Sequence, residues 1–136
     1  MTGFYLLIEF NEMLNKEQLH DKAERMQKFL ETKAGTEPND LIDRAENLSV
    51  LIAQSGQCLA DAKYLQDMVI NGAIMEALKK SYEERLSPST INKWVNSAAK
   101  DLNYLVNWID RINATATHQL DAIRTLISYR KAEMTI

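Results

Sequence analysis

The sequence predicts an all-α protein: a long antiparallel helical hairpin with two shorter N-terminal helices, forming a three- to four-helix bundle. Three observations carry this expectation. Apolar residues recur in steps of mostly four and three along the last third, at Ile91, Val95, Ala98, Leu102, Leu105, Ile109, Ile112, Ala116, Leu120, Ile123 and Ile127. That spacing keeps one seam of a helix turned toward a partner helix. Four Gly and two Pro in 136 residues leave few places for a helix to break. Ser87-Pro88-Ser89 then divides the chain into two long helical runs, because proline disfavours helix in the residue before it.

The elements follow in order. Residues 3–14 are apolar nearly all round (Phe4, Tyr5, Leu6, Leu7, Ile8, Phe10, Met13, Leu14), which predicts a short helix. Read alone, the run from Phe4 to Phe10 also suits a strand, but no second strand candidate exists to pair with it inside the chain. A second helix is predicted over 16–34. Asn15 can cap it, Gln18 can bond back to the cap, and Leu14 can staple onto Leu19. Leu19, Ala23, Met26 and Leu30 form its buried stripe, and Gly35 and Pro38 end it.

A third helix is predicted over 39–86, with its seam at Leu41, Ala45, Leu48, Ile52, Leu59, Ala62, Leu65, Val69, Ala73, Leu78 and Tyr82. Asn71-Gly72 is its weak point, but good helix formers resume at once, and an interior Gly costs only about 1 kcal/mol. The fourth helix is predicted over 89–132. Folding back at Ser87-Pro88 sets Ile52 opposite Ile123 and Leu48 opposite Ile127. It also sets small residues (Ala53, Ser55, Gly56, Cys58, Ala60, Ala62) against Ala114–Thr117. Phe4, Tyr5, Phe10 and Phe29 are candidates to fill any notch left there. All 136 residues are read as a single helical domain.

Composition narrows the function. With 46% apolar and 26% charged residues the chain has enough to build a core, unlike a disordered segment. A net charge of -3 argues against broad electrostatic binding to nucleic acid or anionic lipid. One cysteine, Cys58, excludes an internal disulfide and a cysteine-cluster metal site. The apolar run at the N-terminus stops at Glu9 and has no basic flank, so neither a signal peptide nor a membrane span is expected. The expected location is cytoplasmic.

No phosphate-loop, dinucleotide, zinc-protease or nucleophile-elbow motif is present. Cys58 and His118 could approach each other across the hairpin, but no third group would orient the imidazole. Glu17-Gln18-Leu19-His20 has the spacing of a di-iron ligand pair, without the second pair such a site needs. No catalytic residue, metal or cofactor is therefore expected. Asn92, Asn96, Asn103 and Asn107 share one helix face, read as a solvated surface. The hairpin tip gathers Lys79, Lys80, Tyr82, Arg85, Lys93 and Trp94, the residue types that neutralise and stack on nucleic acid. Tyr82 and Trp94 are expected to cap the hairpin core against each other.

The expected function is non-enzymatic: self-association or protein–protein binding, with a second copy or another helical protein as partner. The second helix covers only part of the hairpin, leaving an apolar face near the tip whose candidate interface residues are Leu65, Met68, Tyr104 and Trp108. Exposed apolar surface on that scale marks an interaction site. The alternative is a nucleic-acid-associated accessory factor, such as phages or mobile elements encode, acting through the tip.

Overall fold

The structure is a computed structural model that describes residues 15–134. The expected helix over 3–14, the staple from Leu14, and Phe4, Tyr5 and Phe10 lie outside the described residues. The described chain is all-α: helix α1 spans Lys16–Glu31, α2 spans Pro38–Glu84 and α3 spans Pro88–Met134. None of them is long and apolar enough to cross a membrane.

Local chemistry sets each boundary. The Asn15 side chain accepts from the Gln18 N–H at 2.9 Å, and the Gln18 side chain accepts from the Asn15 N–H at 3.1 Å. This reciprocal box satisfies two of the free donors at the start of α1. The helix ends at Glu31, short of the expected Gly35. The Thr32 hydroxyl donates to the Phe29 carbonyl at 2.6 Å, and the Thr32 N–H donates to the same oxygen at 3.2 Å. That closes the last turn before Gly35 is reached. Pro38 opens α2, where a missing N–H costs nothing.

Helix α2 runs unbroken through Gly72 and ends at Arg85, which takes the left-handed conformation (φ 53°, ψ 63°). Ser87, rather than Ser89, caps α3: its hydroxyl accepts from the Thr90 N–H at 3.2 Å, and Pro88 is already the first helical residue. The connection from α2 to α3 is thus only Arg85–Ser87.

Helices α2 and α3 lie side by side and run in opposite directions. From the closed end outward, Gln66 donates to Asn103, Asn113 to Ser55, and Arg44 to Gln119. This pairing differs from the register expected from the sequence. Ile52 meets Asn113, whose amide donates to the Ile52 carbonyl at 3.1 Å, so Ile123 is not opposite it. The fold-back lies at residues 85–87, and Asn113 is anchored on Ser55.

The core is continuous from Leu41 to Ala62 on α2 and from Leu102 to Ile123 on α3, with Leu19, Ala23, Met26 and Leu30 of α1 laid over it. Beyond Leu102, toward the closed end, the buried residues are Ala73, Ala77 and Ala99. There the seam corrects the sequence reading. Ala98, Leu78 and Tyr82 were expected inside, yet all three are exposed. The residues buried in this stretch are all alanines, and the larger Leu78 and Tyr82 lie outside it.

Candidate interaction surface

The position of α1 decides which apolar surface remains open. Lys16 pairs with Asp101 at 3.2 Å, the His20 ring stands edge-on to Trp108 at 5.3 Å, and the Leu30 carbonyl accepts from Gln119 at 3.0 Å. Helix α1 therefore runs alongside α3 from Asp101 to Gln119. The expected interface splits accordingly. Trp108 is half-buried against the core, and its indole N–H donates to Gln27 at 3.2 Å. Its ring is taken by α1, which corrects its assignment to an open face. Leu65 is half-buried against the core. Tyr104 is exposed beside Trp108 and lines a cleft with Lys16, His20 and Asp101. Met68 is exposed on α2.

Met68 belongs to a line that the sequence reading missed. Tyr64, Met68, Asn71, Met75, Leu78 and Tyr82 follow one another in strict steps of four and three, and all are exposed. Tyr82 is 94% exposed and Met75 58%. At 100° per residue this line lies roughly 180° around α2 from the seam of Ala62, Ala73 and Ala77 that meets α3. Toward the open end the same line turns polar at Gln57 and Asp61. The apolar stretch is confined to the part of α2 nearest the closed end. The signal was present in the sequence as a second 4-3 spacing on a helix that already had one.

At the closed end Lys79, Lys80, Tyr82, Arg85 and Lys93 are exposed, with Glu83 and Glu84 among them. Tyr82 does not cap the core against Trp94. Instead the Lys80 ammonium sits over the half-buried Trp94 ring, 5.3 Å from its centroid. Compared with known protein families, curated proteins and solved structures, the chain shows no match.

The residues considered for chemistry are placed apart. Cys58 is 2% exposed and flanks a small cleft with Lys22, Arg25 and Met26, while His118 is exposed. Burial raises the Cys58 thiol above its ordinary range; Lys22 opposes that shift and Asp61 adds to it. A protonated, buried thiol is a poor nucleophile. On α1, His20 groups with Asp21 and Glu24 rather than with Glu17, and all three side chains are exposed. Carboxylates one turn apart on a solvated helix face commonly lie this close without a metal. Of the four asparagines expected on one face of α3, Asn103 accepts from Gln66 of α2, so it belongs to the helix pairing.

A feature with no forewarning in the sequence is the buried Arg44, 8% exposed. Its guanidinium donates to the Thr32 hydroxyl, the Phe29 carbonyl and the Gln119 amide oxygen at 3.0–3.1 Å. It also lies 4.1 Å from the centroid of the Phe29 ring. Burial lowers its pKa, since desolvation disfavours the charged form. A cation at the C-terminal carbonyls of α1 answers the helix dipole. Arg44 thus fastens the end of α1 to both long helices.

Proposed function

We propose that this protein acts without catalysis, as a helical module whose antiparallel hairpin presents a binding seam for a second copy of itself or another helical protein. The observation that supports this is the exposed line from Tyr64 to Tyr82. A solvated helix face has no reason to place apolar residues at coiled-coil spacing, and a partner helix is what that spacing serves. The split between Cys58, buried and protonated, and the exposed His118 supports the non-enzymatic reading.

Size-exclusion chromatography with light scattering tests it. The wild type should run above monomer mass at micromolar concentration, or be shifted there by a helical partner. Met75→Glu should abolish the association while leaving the far-ultraviolet helical signal intact. A wild type and a Met75→Glu variant that behave alike in every binding measurement would remove the seam from the reading.

Nucleic-acid binding at the closed end is the second reading, supported by the exposed Tyr82 among Lys79, Lys80, Arg85 and Lys93. Glu83 and Glu84 weaken it, as does the cation already resting on Trp94. Binding to single-stranded nucleic acid that falls steeply with salt would favour it over the seam.

A further inference from the structure

We infer that the seam pairs with a second copy of α2 in antiparallel orientation, about a two-fold axis crossing α2 near Ala73. This rests on the self-association reading above. The line reads the same in both directions: its steps are four, three, four, three and four, and it begins and ends on tyrosine. Reversed on itself, it layers Tyr64 on Tyr82, Met68 on Leu78 and Asn71 on Met75. Every layer then recurs on the other side of the axis with the two copies exchanged, as an isologous two-fold interface requires.

Two further features fit that axis. Gly72 and Ile74 flank the seam on its two sides, so each would face its own copy across the axis. A Cβ built on Gly72 meets no atom within 4 Å, so the bare backbone there is free for close approach by a partner. Charge agrees as well. The seam is flanked by Asp61 and Asp67 at one end and by Lys79 and Lys80 at the other. Antiparallel pairing brings Arg85, the next step of the line at the closed end, level with Asp61 of the partner subunit.

Crosslinking in a Cys58→Ala background tests the arrangement, with single cysteines introduced at Asp67→Cys, Ile74→Cys and Ser81→Cys and a short bismaleimide as probe. Ile74→Cys should crosslink to itself. Asp67→Cys alone and Ser81→Cys alone should not, whereas a mixture of the two should give the crosslinked dimer. Adding Met75→Glu should abolish the Ile74→Cys product. All three single variants crosslinking to themselves would establish a parallel seam and overturn the inference. A dimer by light scattering that none of these pairs crosslinks would overturn it too, while leaving self-association in place. A wild type that stays monomeric at high micromolar concentration, with the line left to another protein or another part of the chain, would overturn both.

Discussion

The side-chain amide of Asn113 lies 2.8 Å from the hydroxyl of Ser55, and Ser55 is completely shielded from solvent between α2 and α3. The same hydroxyl donates to the Ile52 carbonyl at 3.0 Å, so amide, hydroxyl and carbonyl satisfy one another inside an otherwise apolar seam. No buried side-chain polar atom is left without a partner among the described residues. This contact fixes the offset between the two long helices, because sliding either one strands a polar group in the core.

Breaking that contact from one side should cost more than removing it whole. Asn113→Leu should lower unfolding free energy by about 0.5–1.5 kcal/mol, the net worth of a lost hydrogen bond, since Ser55 still donates to the Ile52 carbonyl. Ser55→Ala combined with Asn113→Leu should cost less than the two single changes added together. Urea denaturation of the four proteins of this cycle measures the coupling; strict additivity would show that the pair is independent.

Arg44 should hold α1 in place. Its replacement by Ala leaves the part-buried Gln119 amide oxygen without its donor and should cost about 1–3 kcal/mol. Arg44→Lys should not restore the loss, because a single ammonium cannot span three acceptors as a planar fork does. Hydrogen exchange is the sharper measurement. Amides of α1 should lose protection while those of α3 between Leu102 and Ile112 keep theirs, and equal loss in both would remove the fastening role.

Ile109 is fully buried in the main core. Truncation to Ala should cost about 2–5 kcal/mol, the range for removing a large aliphatic side chain from a packed site. A melting temperature within a degree of wild type would mean that α2 and α3 do not pack through this seam.

Cys58 should make stability fall with rising pH. Burial raises the thiol pKa in the folded state, so the folded chain holds its proton where the unfolded chain has released it. The stabilisation is complete below the unfolded thiol value, about 8.5, and is lost as pH rises through the folded value. Cys58→Ala should leave folding at neutral pH nearly unchanged and flatten that alkaline decline. The native thiol should also react slowly with maleimide until denaturant is added; fast native alkylation would contradict its burial.

The local punctuation of this fold was legible in the sequence. Asn15 with Gln18, the interruption between α1 and Pro38, and the break at Ser87-Pro88 all act through backbone groups within a few residues, so no distant contact is needed to predict them. The seam of α3 from Leu102 to Ile123 was legible for a related reason. A single apolar stripe on a long helix leaves only one face to bury.

Tertiary structure alone decided the rest. Helix α2 carries two apolar lines near its closed end, one through Val69 and Ala73 and the other through Met75, Leu78 and Tyr82. Periodicity gives the angle of each line but not its partner. Ala99 of α3 selected the line with the small side chains, because two backbones can approach closely only where both present them, and the bulky line was left outside. The place of α1, which covered Trp108, and the burial of Arg44 were likewise undetermined by spacing. They depend on polar contacts between residues 75 or more positions apart, Arg44 with Gln119 and Trp108 with Gln27. Such contacts exist only after the helices have come together.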